Sequence, residues 1–384
     1  MSVRAAVLSG PGDLSVEAFP DPELGPGDAV VRMELSGICG TDKHIFSGEG
    51  HLYAGTEMEA QAAFPLIPGH ENVGVIEELG RDAGRTLEFY GEPLSAGDRV
   101  VMCPDVVCGR CWYCRHGRML WCVNARCYGV TLTCAEAPHL YGGWAERMVL
   151  RHDAFVYKVP EGMPAELAVL VEPFVVTQVL DEARGHSALG GQGFRGGDTI
   201  VVQGAGALGL MFVLRARIMG AGDILVVDDA PERLARARGV GASHTLSLAE
   251  TTADERLGTV RELTGGRGAD VVVDCAGVPA ALPEGLELAR KGATYIETGA
   301  FVDAGSVEIN PHRHLCAKSI RLIGATNHAY TGYGPALKLL ERYGDSAGFR
   351  SIITHTIPFE RAEEAITTSL RPEAGKVLVE GGVS

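Results

Sequence analysis

Along the chain, the spacing of apolar and polar positions changes character near residue 166. Before about residue 150, apolar residues come in short alternating runs broken by Gly, Pro and Asp. Asp28 to Leu35, Asn72 to Leu79 and Asp98 to Met102 are the clearest, and they predict an irregular, mostly β region. From Glu166 to Val179 the apolar spacing is helical. The glycine-rich stretch Ser187 to Gly197 reads as a surface loop, and the continuous apolar run Thr199 to Gln203 as a buried strand.

From there strands and helices alternate. A helix is expected over Leu208 to Met219, a strand over Ile224 to Val227, and a helix over Glu232 to Arg238. Then come a strand at Val271 to Asp274, a helix near Pro283 to Arg290 and a strand near Ala293 to Thr298. This order predicts a doubly wound parallel sheet, so the fold class is α/β. A strand at Ile320 to Gly324, a helix at Gly334 to Tyr343 and a strand at Lys376 to Glu380 close the chain.

Composition narrows the function classes. At 46% hydrophobic and 22% charged, the 384 residues read as a soluble globular protein of two or three domains. A net charge of −15 argues against a nucleic-acid binder, which needs a basic face. No run reaches the ~18 apolar residues of a membrane span. The N-terminal stretch alternates like a strand and turn and lacks the apolar core of a signal peptide, so a cytoplasmic location is expected. The 51 glycines follow no collagen-like period and point to tight turns and phosphate-type loops.

The ten cysteines are unevenly spread. Cys108, Cys111, Cys114 and Cys122 have the spacing C-x2-C-x2-C-x7-C. Four thiolates this close can surround one Zn²⁺ tetrahedrally and leave no open position, which makes a structural site. Cys103 falls outside the spacing and reads as a buried strand thiol.

Gly204-Ala205-Gly206-Ala207-Leu208-Gly209 is G-x-G-x-x-G, and it follows a strand and opens a helix. In that context the glycines allow a tight turn and close approach of a pyrophosphate to the helix N-terminus. Asp228 ends the next strand, where a carboxylate accepts hydrogen bonds from ribose hydroxyls and repels a 2′-phosphate; this predicts NAD over NADP. Arg233 either reaches a phosphate or belongs to a solvated helix face.

Gly37-Ile38-Cys39-Gly40-Thr41-Asp42, then Pro68-Gly69-His70-Glu71, the cysteine lobe, Val171-Glu172-Pro173 and the glycine turn occur in an order that resembles the medium-chain zinc-dependent alcohol and polyol dehydrogenases. The likeness runs the length of the chain to GKVLVE. It implies a GroES-like β domain from residues 1–170 and 318–384, carrying a zinc lobe at about 103–125, and an inserted Rossmann domain at 171–317. It implies that Cys39, His70 and Glu172 bind a catalytic zinc, so two Zn per chain are expected. A glutamate at 172 is similar to the polyol, sugar and threonine dehydrogenase branches.

In the same resemblance Glu71 either replaces the zinc-bound water during exchange or forms an ion pair behind the ligands. Asp42 accepts the free ring N–H of His70. Thr41 matches a proton-relay hydroxyl, and His44 is either a relay histidine or an exposed loop residue. Thr298 and Gly299 line the nicotinamide pocket, and Lys376 is given no catalytic role. The expected partners are a small alcohol or ketone and further copies of the chain, in a homodimer or homotetramer. Arg81 to Ala96 and Ala125 to Leu140 are longer than the family's compact loops; the second is expected to reshape the substrate cleft or a subunit contact. The rival readings are a threonine- or aldehyde-adduct-type dehydrogenase and an NAD-binding structural or regulatory protein with a retired site.

Overall fold

The structure, a computed structural model, describes residues 2–184 and 194–382. It divides into two compact units. The first comprises Met1–Val175, His328–Gly344 and Ile353–Ser384, and the second Val176–Asn327 and Asp345–Ile352. Residues 345–352 thus belong to the second unit although they lie near the C-terminal end of the chain.

The first unit is built on a seven-stranded sheet. Its order is Val156–Lys158, Arg99–Met102, Glu71–Leu79, Ala29–Gly37, Lys376–Glu380 and Ile353–Pro358, with Arg147–Leu150 also paired to Ala29–Gly37. The Ala29–Gly37 strand lies at its centre and is buried along most of its length. Lys376–Glu380, from the far end of the chain, pairs antiparallel with its C-terminal half, so both chain ends build this sheet. Two apolar clusters pack on it, one around Trp144, Val149 and Phe359, the other around Val100, Met102, Tyr128 and Val156.

Both longer loops are tied into this unit. Within residues 81–96, Ala83 begins a short helix, and Ala83, Leu87 and Leu94 are buried in the second cluster. The Tyr90 hydroxyl donates to the Thr331 carbonyl at 2.9 Å. In residues 125–140, Cys134 and Leu140 join the first cluster, and the Thr133 hydroxyl donates to the Pro65 carbonyl at 2.8 Å.

The second unit holds six parallel strands in the order His244–Ser247, Asp223–Asp228, Thr199–Gln203, Ala269–Asp274, Ala289–Glu297 and Arg321–Gly324. This is the doubly wound Rossmann order, with the first strand of the motif at the centre. Thr199–Gln203 is buried throughout, as expected of a central parallel strand covered on both faces.

Several local expectations change. Glu166 to Val179 is not one helix but short pieces, Ala165–Ala168, Val171–Val176 and Val179–Arg184. Pro173 has no N–H to continue a helix from the preceding turn, so it sits in the first turn of a new one. The helix expected at Pro283 to Arg290 runs Ala281–Leu288, because Ala289 already belongs to the next strand. Lys318 Nζ closes that helix end by donating to the carbonyls of Leu286, Glu287 and Ala289 at 2.7, 3.1 and 3.1 Å. The helix Ala253–Leu263 was not anticipated, although Thr252 and Glu255 form its capping box. The loop read at Ser187 to Gly197 lies mostly outside the described residues.

Candidate active site and zinc lobe

The four-cysteine lobe is a loop with one short helical turn, Trp112–Arg115. The sulfurs of Cys108, Cys111, Cys114 and Cys122 all lie within 4.8 Å of one another, and none is in a disulfide. Cys111 Sγ and Cys122 Sγ are 4.0 Å apart, close to the edge of about 3.8 Å that Zn–S bonds of 2.3 Å give a tetrahedron. Backbone N–H groups point at the sulfurs: Cys111 N donates to Cys108 Sγ and Cys108 N to Cys122 Sγ, each at 3.3 Å. Such donors favour thiolates, and those from Arg110 and Cys111 help hold Cys108 down at about 6. Burial pushes Cys114 and Cys122 up instead, so a bound cation is what would hold them as thiolates; the four clustered sulfurs, with no fifth ligand grouped with them among the described residues, fit a structural zinc.

A second group forms where the central strand Ala29–Gly37 ends. Cys39 caps the helix Gly40–Phe46, and its N–H donates to Asp42 Oδ2 at 2.8 Å, which fixes the turn. Gly69, at φ 92°, turns the chain so that His70 enters the strand Glu71–Leu79; a Cβ there would strike the Trp144 ring and Ser36. Ligand atoms of Cys39, His70 and Glu71 come within 4.8 Å of one another, and His70 and Glu71 are buried. His70 Nδ1 is 3.5 Å from Asp42 Oδ1, so the buried carboxylate faces the imidazole ring.

Glu172, in the helix Val171–Val176, is buried beside this group but outside its tight cluster. Burial, with Glu71 adding, pushes its carboxyl up to about 8, while His70 and Lys376 pull it down. Two buried carboxyls and a thiol around one imidazole form a site built for positive charge, and the thiolate–imidazole–carboxylate donor set fits zinc.

The remaining predicted residues surround this group. Thr41 sits half-buried in the helix that Cys39 opens, and His44 pairs with Glu49 through Nδ1. Lys376, given no catalytic role by the resemblance, forms a buried ion pair with Glu71 and donates to the Ile38 carbonyl at 3.0 Å. His328 lies in no motif of the sequence. Its Nδ1 lies 3.8 Å from Glu172 Oε1 and its Nε2 2.8 Å from the Tyr333 hydroxyl. No local motif marks it; only packing brings it to Glu172.

In the second unit, Gly204 has φ 92°, open to glycine, and a Cβ on Gly209 would collide with the Gly204 carbonyl oxygen. Gly206 faces open space at the N-terminus of the helix Ala207–Ile218, whose first turn holds Ala207 and Leu208. These are the three distinct glycine requirements of a pyrophosphate turn. Asp228 is buried, and its two oxygens accept from Ala205 N at 2.6 Å and Ala230 N at 2.9 Å. Both backbone bonds orient the carboxylate while leaving lone pairs for ribose hydroxyls. Arg233 Nη1 stands 4.0 Å from Asp228 Oδ1. Thr298 and Gly299 follow the strand Ala289–Glu297 at the sheet's C-terminal edge, where ligands of such sheets bind.

Comparison with known proteins agrees with this geometry. Residues 25–161 match the alcohol dehydrogenase GroES-like domain and residues 207–342 the zinc-binding dehydrogenase domain. The chain is 36% identical to 5-exo-hydroxycamphor dehydrogenase of Pseudomonas putida, over 94% of each protein. It is 32% identical to sorbitol dehydrogenase of Bacillus subtilis, over 98% of this chain and 97% of that one. The crystal structure of an alcohol dehydrogenase from Thermotoga maritima superposes with a TM-score of 0.89 at 29% identity, covering all of both chains. Shared sequence over nearly its whole length, on the same two-domain fold, makes this chain a member of the zinc-dependent medium-chain alcohol and polyol dehydrogenases, oxidoreductases that move a hydride between an alcohol carbon and a nicotinamide dinucleotide.

Proposed function

We propose that the protein oxidises a secondary alcohol, a polyol or cyclic alcohol, with NAD as hydride acceptor and two zinc ions per chain. The observation that carries this reading is the cluster of half-buried Cys39 with buried His70 and Glu71, and buried Glu172 beside it. A retired site has no need to keep four such groups together in the interior. Zinc held there supplies a Lewis acid that lowers the pKa of the alcohol hydroxyl.

Cys39 and His70 hold the metal, and Glu172 supplies the third ligand implied by the family resemblance. The closeness of Glu71 to both supports a second arrangement, in which Glu71, released from its pairing with Lys376, takes that place. Asp42 keeps His70 in the tautomer that presents Nε2. Thr41 and then His44, paired with Glu49, carry the alcohol proton towards solvent. Asp228 favours NAD, since its oriented carboxylate repels a 2′-phosphate, and Thr298 and Gly299 receive the nicotinamide end.

The relatives frame the substrate. One is named for a bridged cyclic alcohol and another for a linear polyol, so both classes belong in the same screen. The cysteines among the described residues are all free, which supports a reducing, cytoplasmic setting, and the resemblance supports a homodimer or homotetramer. Among the described residues no helix is long and apolar enough to cross a membrane.

Reduced-nicotinamide absorbance against a panel of polyols, cyclic secondary alcohols and threonine, with NAD and NADP in parallel, tests the reading. Turnover with one alcohol class and NAD, and about two zincs per chain by metal analysis, are the expected results. Binding of NAD without turnover of any alcohol, with about one zinc per chain, overturns it. Metal content of Glu172→Gln against Glu71→Gln separates the two ligand arrangements.

A further inference from the structure

Asp274 and Glu297 occupy paired positions at the C-terminal ends of two neighbouring parallel strands. Asp274 is buried and Glu297 half-buried, and as register partners on parallel strands their side chains project from the same face of the sheet, side by side. Each also holds the loop that follows its own strand. Asp274 Oδ1 accepts from Ala276 N at 2.7 Å and Gly277 N at 3.4 Å. Glu297 Oε1 accepts from Gly299 N at 3.0 Å and Ala300 N at 3.1 Å.

The two loops are joined to each other as well. Thr298 donates to the Asp274 carbonyl through its N–H at 3.0 Å and its hydroxyl at 2.7 Å. Gly277 and Gly299 approach so closely that a Cβ on either would strike the other's backbone. The groups facing the pair are the Tyr295 hydroxyl, 3.4 Å from Asp274 Oδ2, the Cys275 thiol on the same strand end, and Gln203, which Tyr295 contacts at 3.3 Å. None of these is a cation. Two adjoining carboxyls in such surroundings cannot both ionise without strong repulsion, which favours one proton held between them.

We propose that Asp274 and Glu297 share one proton, and that this proton sets the position of the two loops receiving the nicotinamide end of the cofactor. Both are positioning residues, and the proposal rests on the reading of Thr298 and Gly299 as that loop. With the proton held, the carboxyls draw the loops together. When it is lost, two like charges push the strand ends apart and add negative charge beside an anionic dinucleotide. Burial, followed by Asp274, raises Glu297 to about 7, so the change falls in the neutral range.

The sign follows from linkage. A carboxyl raised in the folded state binds more protons folded than unfolded, so stability falls as pH rises from the ordinary carboxylate range through about 7. The cofactor-free protein should lose thermal midpoint over that range, and Glu297→Gln, whose amide keeps a hydrogen bond without titrating, should flatten the loss. In NADH fluorescence titrations of the zinc-loaded enzyme from pH 6 to 9, the wild-type Kd should rise roughly five- to tenfold, the effect of up to about one pKa unit of coupling. In Glu297→Gln and Asp274→Asn it should change by less than about twofold.

A flat wild-type profile, or variants that keep the wild-type slope, overturns the proposal. Asp228→Asn, at the other end of the cofactor site, separates this from failure of the underlying reading. If it weakens NADH equally at every pH while the carboxyl variants keep the wild-type slope, only the shared proton falls. If it leaves NADH binding untouched, the placement of the cofactor ribose at Asp228 falls, and with it the reading of Thr298 and Gly299 as the nicotinamide end.

Discussion

Lys376 and Glu71 lie 305 positions apart in sequence and form an ion pair in which both side chains are almost wholly buried. The pair ties the last strand of the chain to the residue next to His70. Its Lys376 Nζ also holds the carbonyl of Ile38, beside Cys39. One ammonium thus braces both ends of the candidate metal group.

Lys376→Met should therefore destabilise the protein by about 3–5 kcal/mol, because it strands a buried carboxylate. Combining it with Glu71→Gln should recover more than half of that loss, since the double variant leaves no unpaired charge. Urea unfolding of the two single variants and the double variant checks this; additive losses would show that the ion pair is not what couples them.

The third glycine of the pyrophosphate turn gives a sharper case. A Cβ at Gly209 meets the Gly204 carbonyl oxygen, which is backbone and cannot rotate away. Gly209→Ala should cost about 3 kcal/mol or more and weaken NADH binding at least tenfold, whereas Gly206→Ala, facing open space, should fold normally and lose cofactor affinity only. Thermal unfolding and NADH titration of the two variants separate packing from ligand contact.

Removing one thiolate of the lobe should empty one metal site and spare the other. Cys111→Ser is expected to lower zinc from about two to about one per chain. NADH affinity should stay within twofold, since the dinucleotide turn is in the other unit. Retention of two zincs after this substitution would show that the lobe does not hold its own ion.

At Asp228 the expected change is in cofactor choice. Asp228→Asn removes the charge that opposes a 2′-phosphate, with Arg233 Nη1 only 4.0 Å from it. The ratio of kcat/KM for NAD over NADP should fall roughly tenfold, the effect of about 1.4 kcal/mol. An unchanged ratio would place cofactor choice on other residues.

The inserted loop can be tested through its anchor. Tyr90 packs against Tyr157 and donates to the Thr331 carbonyl, and its ring fills the space a Cβ on Gly334 would need. Tyr90→Ala should cost about 1–2 kcal/mol, moderated by the half of the side chain that is exposed. Denaturant unfolding that shows no change would mean the loop is not held through this residue.

Local spacing was enough to place the zinc lobe and the dinucleotide turn. The four cysteines at 108 to 122 can meet because fifteen residues close a short loop, and the glycine turn was legible because a strand, three steric requirements and a helix are contiguous. Continuous apolar strands such as Thr199–Gln203 were equally plain, since a parallel sheet buries both faces. Local signals failed where they were faint or broken. His244–Ser247 is short and half-polar, Ala253–Leu263 has a cap but a thin apolar face, and Pro173 breaks a helical pattern that spacing alone continues.

Features that depend on distant pairs came only with packing. Family order suggested Cys39, His70 and Glu172 as partners, but only packing brings Glu71 into the tightest group and leaves Glu172 beside it. Lys376 behind Glu71, His328 beside Glu172, and Asp274 against Glu297 have no local signature, because each pairing depends on strand register or chain reversal, not on residue type. Burial then sets their chemistry: the same carboxyl that is an ordinary acid on a surface becomes, in a low-dielectric interior, a group that must find a cation or share a proton.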